Sequence, residues 1–206
     1  MSEKKSTKQK ILEKSLKLFA KKGYDGVSMR EIAAAVGIKG ASIYNHFKGK
    51  EDIFQSIFQE MIKRYDDMAG LLSIPTEGTT DAAQRFIGLG EQEMLHLAKA
   101  LFAFFGKDEF VVQFRRILVV EHNRSSLAAQ TLKSYYFDAP IQYQTRLFEK
   151  MQQCGAFKGY DAKTMALHFY SPVYFILSRY DLEQDYDTSI KELEQHVHWF
   201  MDLYSK

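Results

Sequence analysis

Apolar positions recur at helical spacing along almost the whole chain. Ile11, Leu12, Ser15, Leu18 and Phe19 share one face of a first helix, which Ser6-x-x-Gln9 opens with capping-box spacing and Gly23 stops. A second capping box, Ser28-x-x-Glu31, precedes Met29, Ile32, Ala33 and Val36, and Gly37 breaks that short helix. A third short helix is predicted from about Lys39 to His46, anchored by Ile43 and Phe47. The fourth runs from near Lys50 to about Met68 and carries two adjacent apolar stripes through Ile53, Phe54, Ile57, Phe58, Met61, Ile62 and Tyr65. A helix that is apolar over so wide an arc packs on more than one side, and its roughly 27–30 Å can join two bodies.

Residues 73–80, rich in Ser, Thr, Pro and Gly, read as a linker. Beyond it the pattern predicts helices at about 80–104, 108–122, 126–154, 161–181 and 188–205, separated by Gly106, by Gly155 with Gly159, and by the segment 185–187. Pro140 and Pro172 fall inside helical patterns and should begin or kink helices where they stand. With no strand pattern and no internal repeat, the fold class is all-α. Its predicted plan is three short N-terminal helices in residues 1–52, then a long helix leading into a helical body in residues 53–206.

Charge changes the picture. Residues 1–52 hold twelve lysines and arginines against six aspartates and glutamates, a net +6, while the remainder nets −4. A basic head on an acidic body suits a polyanion-binding module attached to something else. The single Cys154 excludes an internal disulfide framework and a multi-cysteine zinc site. The charged first ten residues lead into no apolar stretch, and no run approaches 18 apolar residues, so the expectation is a cytoplasmic protein without a membrane span.

Two short helices joined by a tight glycine turn, residues 28–47, have the form of a helix-turn-helix, whose second helix enters the DNA major groove. Around it stand Gly23-Tyr24-Asp25-Gly26-Val27-Ser28, Ile32-Ala33, Val36-Gly37-Ile38, Gly40-Ala41-Ser42-Ile43-Tyr44, His46-Phe47 and Lys50-Glu51-Asp52. In order and spacing these resemble the signature of the TetR family of transcriptional repressors, over roughly residues 8–55. The resemblance implies a DNA-binding domain in residues 1–52 and an effector-binding and dimerisation domain in residues 53–206. It also implies a homodimer on a palindromic double-stranded operator, a small-molecule effector, and no cofactor or catalytic residue.

The residues themselves support phosphate contact. Ser28 opens a helix and can offer a hydroxyl and backbone N–H groups to a phosphate. The phenol of Tyr44, the imidazole of His46 and the ammonium of Lys50 can grip phosphates without reading bases. By the resemblance these four clamp the DNA backbone. Base reading falls to Lys39, Gly40, Ala41 and Asn45: Lys39 can reach guanine O6 and N7, Asn45 can bond adenine or a phosphate, and Ala41 can touch a thymine methyl. Gly40 and Ala41 carry little to read with, so DNA shape takes a larger share than in relatives with longer side chains there.

In the body, Phe86, His96, Phe102, Phe105, Phe114, His122, Tyr136 and Tyr143 are candidates for an aromatic effector pocket with a few polar groups, and a filled aromatic core is the alternative. A seam through Ile190, Leu193, Val197, Phe200, Met201 and Tyr204, with Met165, Phe169 and Ile176 on the preceding helix, is the candidate dimer interface, although one face of each helix must also pack within the chain. His196 and His198 are two apart and point away from each other, so no metal site is expected. Two rival readings stand: a DNA-binding regulator without an effector, and a helical adaptor that binds protein. The second leaves the basic head unexplained. Catalysis has no support, because nucleophile-elbow, Walker and zincin motifs are all missing.

Overall fold

The computed structural model describes residues 6–75 and 79–205, so Lys4, Lys5 and the centre of the linker lie outside the described residues. Ten α-helices are present among them: α1 Thr7–Lys22, α2 Met29–Val36, α3 Lys50–Leu71, α4 Thr80–Gly88, α5 Glu91–Lys107, α6 Glu109–Glu121, α7 Ser126–Lys133, α8 Ala139–Gln153, α9 Ala162–Glu183 and α10 Tyr186–Tyr204. A 3-10 turn occupies Gly40–Asn45 and a π turn Ser134–Asp138. Among the described residues the one extended contact is an antiparallel bridge between Phe157 and Ser205.

Most boundaries follow local chemistry. Ser6 accepts from the Gln9 amide, and Ser28 and Glu31 complete the second capping box in both directions. The expected helix 80–104 is two helices. Gly88 and Gly90 flank the break, and the Glu93 carboxylate accepts from the Gly90 N–H at 3.0 Å to start α5. The expected helix 126–154 also changes register midway. Pro140 has no N–H to offer the carbonyl four residues back, that of Tyr136. The Tyr170 hydroxyl donates to this carbonyl at 2.9 Å, and the wider π turn absorbs the mismatch. Pro172, by contrast, lies within α9 without interrupting it.

The chain packs as two compact units: Met1–Asp67 with Glu109–Leu132, and Met68–Asp108 with Lys133–Lys206. In the first, α3 is buried on two sides, as its double stripe requires. Phe54 meets Phe19 of α1 at 5.9 Å and Tyr24 at 4.8 Å, while Phe58 meets Phe114 of α6 at 5.3 Å. Packing therefore reaches beyond residues 1–52 and brings α6 into the motif's own unit. In the second unit one cluster gathers Phe86, Phe148, Phe157, Met165 and Phe200, and another gathers Phe102, Ile176, Tyr180, Leu193 and Val197.

This packing shows what covers the expected dimer seam within one chain. Met165, Ile176, Leu193, Val197, Phe200 and Tyr204 are each at most 8% exposed within the single chain. Phe169, Ile190 and Met201 pack partly buried against the same clusters. The face these residues share is thus largely covered within the chain. The 3-4 spacing was a true sign of helix packing, but the partner helices belong to the same chain.

Candidate nucleic-acid interface

The helix-turn-helix is built by α2, a glycine turn and the 3-10 segment. Gly37 takes φ 79° and ψ 32°, the left-handed conformation that favours glycine, and its N–H reaches the carbonyls of Ala33 and Ala34. Ser42 then donates to the Lys39 carbonyl at 2.9 Å, closing i to i+3. The segment expected as a short α-helix is thus a 3-10 helix. Six residues are too few to nucleate an α-helix alone, and at about 2.0 Å per residue the tighter form stretches them over roughly 12 Å. Ile43, fully buried, pins its inner side, with Ile32, Ala33 and Phe47 in the same core.

The outer side carries the residues singled out in the sequence. Ser28, Lys39, Gly40, Ala41, Tyr44, Asn45 and His46 are all exposed, Tyr44 by 58%, and Lys50 is half-buried. Lys8, Lys10, Lys14, Lys21, Arg30 and Lys48 are exposed in the same unit. Lys8 was not anticipated. Its ammonium lies 5.5 Å from the Phe47 ring, which brings a further cation beside the His46 end of the segment.

Two of the expected phosphate clamps already have internal partners. The Ser28 N–H and hydroxyl both donate to one Glu31 oxygen, at 2.9 and 3.0 Å, while Lys22 binds the other at 2.7 Å. Lys22 chiefly, then Ser28, holds the Glu31 carboxyl down at about 2, so this anion persists at the start of α2 at neutral pH. Lys50 donates to the Tyr24 carbonyl at 2.8 Å and lies 4.3 Å from the centre of the Tyr24 ring. Burial pushes the Tyr24 phenol above its ordinary range and Glu51, accepting its proton at 3.0 Å, adds to this. Tyr24 is therefore a neutral post against which Lys50 is fixed. The sequence placed Tyr24 inside the motif without giving it a task.

The eight candidate pocket residues divide between the two units. Phe114 and His122 lie in the first unit, Phe114 buried against Phe58 and His122 bonded to the Val119 carbonyl at 2.7 Å. The other six lie in the second unit. Phe86 is in one cluster with Tyr143 against it, Phe102 is in the other with Phe105 against it, and His96 is exposed. Tyr136 joins them through Phe105 at 6.3 Å and continues to Tyr174 at 6.4 Å. Among the described residues no group of three His, Cys, Asp or Glu could hold a metal ion, and no helix is long and apolar enough to cross a membrane. His168 bonds the Tyr204 hydroxyl and His196 the Phe169 carbonyl, each at 2.7 Å, as partnered structural histidines do. Burial holds His196 below the usual imidazole range, partly countered by that carbonyl.

A compact helical unit carrying a glycine-hinged helix-turn-helix, with its second segment exposed and exposed cations in the same unit, has the form of the helix-turn-helix regulatory proteins. Residues 11–57 match the family described as bacterial regulatory proteins, tetR family. The negative transcriptional regulator IcaR of the biofilm operon icaADBC in Staphylococcus epidermidis is 31% identical over 93 residues, covering 40% of this chain and 50% of IcaR. IcaR of Staphylococcus aureus is 46% identical over 48 residues, 23% of this chain and 26% of the relative. The chain thus aligns with half or less of the curated relatives it matches.

The fold extends further. SmeT of Stenotrophomonas maltophilia, the repressor of the multidrug efflux pump SmeDEF, superposes with TM-score 0.66 at 15% identity, over 98% of this chain and 92% of SmeT. A TetR family regulator from Pseudomonas syringae pv. tomato gives 0.66 at 15% identity, over 100% and 99% of the two chains. Motif, relatives and fold agree: residues 11–57 match the tetR-family DNA-binding region, and the chain shares the fold of solved TetR-family regulators.

Proposed function

We propose that the protein is a DNA-binding transcriptional repressor that acts as a homodimer in the cytoplasm and leaves its operator when a small molecule binds its second unit. The observation that carries this reading is the continuous exposure of Ser28, Lys39, Gly40, Ala41, Tyr44, Asn45 and His46 over a fully buried Ile43. Nothing in the packing of the chain requires a phenol, an imidazole, an amide and two small residues on the outside of one short turn. Together with Lys8 and Lys50 they suit a groove lined by phosphates. Lys39 and Asn45 are the base-reading side chains, and close approach at Gly40 and Ala41 adds shape recognition.

Dimerisation falls to the outer face of α9 and α10, not to the inner seam. Leu167, Phe175 and Leu182 on α9 stand 46%, 62% and 85% exposed at spacings of eight and seven, and Trp199 and Leu203 on α10 stand 65% and 47% exposed at a spacing of four. A groove of about 490 Å³ lies on this face, lined by His168, His196, Trp199, Phe200 and Leu203 among others. Exposed apolar stripes on two adjacent long helices suit a two-fold bundle with a second copy.

The effector is placed in the second unit, near the aromatic run Phe105, Tyr136 and Tyr174 beside the π turn, a kind of helix defect that often accompanies binding sites. SmeT, which shares the fold, has been solved in complex with triclosan. Release requires that the effector bind one conformational state better than the other. In the favoured state the two recognition segments no longer stand one DNA turn apart.

Lys50→Met tests the DNA-binding reading. Losing one phosphate contact per protomer should lower the salt slope of binding by about one per contact and weaken binding to all duplexes alike. Fluorescence anisotropy of a labelled duplex across a salt series measures both. An unchanged slope with altered sequence preference would place Lys50 in the groove and not on the backbone.

A further inference from the structure

We propose that Glu121, the last residue of α6, is a positioning residue for phosphate binding: its carboxylate holds the turn between α1 and α2 and, through Tyr24, sets where the Lys50 ammonium stands. The proposal rests on the DNA-binding reading above. It gives a task to a residue far outside the motif, and that task differs from touching DNA.

Glu121 is 3% exposed. A carboxylate so deeply enclosed is tolerated only where it accepts hydrogen bonds. Its Oε1 accepts from the Tyr24 N–H at 3.0 Å, across 97 residues of sequence but within one compact unit. That N–H follows the end of α1 and has no helical carbonyl of its own to bond. The approach is built into the backbone on the receiving side. Gly23 takes φ +75°, and a Cβ there would stand 2.7 Å from Glu121 Oε1. A side chain at this position would adopt a rare backbone conformation and push the carboxylate aside.

Tyr24 passes this anchoring on, because each of its polar or π groups has a partner. The N–H goes to Glu121, the carbonyl accepts from Lys50 Nζ at 2.8 Å, the ring lies beneath the same ammonium at 4.3 Å, and the hydroxyl donates to Glu51 Oε2 at 3.0 Å. Lys50 is thus fixed by one residue through two different contacts. Its ammonium has three N–H donors, of which the Tyr24 carbonyl uses one, so two remain for a phosphate. A lysine fixed in this way loses less freedom on binding DNA than one that waves in solvent. If the Tyr24 backbone is released from Glu121, the turn carrying the carbonyl and the ring can shift, and Lys50 shifts with it.

The test is the salt dependence of binding between the full-length protein and a labelled duplex of random sequence. Glu121→Leu is expected to lower the salt slope by about one contact per protomer, as Lys50→Met does, and the double variant should lose no more than either single one. A general loss of folded protein reduces the active fraction but leaves the slope of the remainder unchanged. Glu121→Gln, which keeps an oxygen acceptor, is expected to retain the unmodified slope. A leucine variant that is folded by circular dichroism and keeps the full slope overturns the proposal, as do additive losses in the double variant.

Should the leucine variant unfold, hydrogen exchange at the Tyr24 amide of the unmodified protein decides the matter. Protection comparable to the core of α1 is expected, and exchange as fast as an open turn overturns the anchoring. A protein without any salt-dependent binding contradicts the DNA-binding reading itself. A slope carried by the unmodified protein and by the leucine variant alike contradicts only the role of Glu121.

Discussion

Placing carboxylates at both Phe175 and Leu203 is expected to yield a folded monomer that has lost specific DNA binding. Both side chains are exposed on the outer face of α9 and α10, Phe175 by 62% and Leu203 by 47%, so charges there leave the buried clusters intact. In a two-fold interface each charge would be buried twice, opposite apolar partners, at a cost of several kcal/mol per unpaired ion. Trp199, the single tryptophan of the chain, lies 65% exposed on the same face and reports the outcome. In the unmodified protein its emission should move to shorter wavelength as protein concentration rises through the dimer dissociation constant. In the double variant it should stay at the wavelength of a solvated indole. Affinity should then fall from the specific range of about 10⁻⁸–10⁻¹¹ M to the non-specific range of about 10⁻⁴–10⁻⁶ M. A variant that remains dimeric by ultracentrifugation would move the interface to another face.

Phe200→Ala is expected to cost about 3–5 kcal/mol, a large part of the roughly 5–15 kcal/mol that stabilises a domain. Phe200 is 3% exposed and stands at the centre of the aromatic cluster: its ring centroid is 4.6 Å from Tyr204, 4.9 Å from Phe169, 5.5 Å from Phe148 and 6.2 Å from Phe157. Truncation leaves a cavity that rings on α8, α9 and the segment between them must either tolerate or collapse into. The urea midpoint should drop with an unchanged m-value, and at low denaturant the variant should still dimerise. If Phe200 lay on an intersubunit seam, the opposite pattern would follow, with a monomer of little-changed stability.

These two predictions mark where the sequence was legible and where it was not. The N-terminal unit was readable because its chemistry is local. Ser28 with Glu31 and Gly37 at the end of α2 act within a few residues of themselves, so spacing alone locates them. The double stripe of α3 was equally plain, since Phe54 and Phe58 must face different neighbours. What periodicity cannot say is which helix covers a stripe. Leu193, Val197 and Phe200 announce a buried face, and the face is covered by the chain's own helices. Trp199 and Leu203, off that seam, are the exposed apolar side chains of the same helix.

Long-range polar contacts were hidden for the same reason. Nothing near Glu121 in the sequence points to Tyr24, and nothing near Pro140 points to the Tyr170 hydroxyl that donates to the Tyr136 carbonyl four residues before it. The division of the eight pocket candidates between the two units is a further instance. Aromatic richness predicts burial but not a void, and Phe114 fills core beside Phe58 in a different unit from Phe102.

Selection of duplexes from a random pool by the purified protein, followed by sequencing of what it retains, tests the central claim most directly. Two exposed recognition segments related by a two-fold axis should enrich a palindrome whose half-sites lie one helical turn, about 34–36 Å, or a small multiple of it apart. Within each half-site the strongest preferences should fall on the few base pairs that Lys39 and Asn45 can reach, and Lys39→Ala or Asn45→Ala should flatten one of them. The contrary result is a pool that stays random while binding is weak and indifferent to salt. In that event the surface over Ile43 does not read DNA, and the protein is not the regulator proposed.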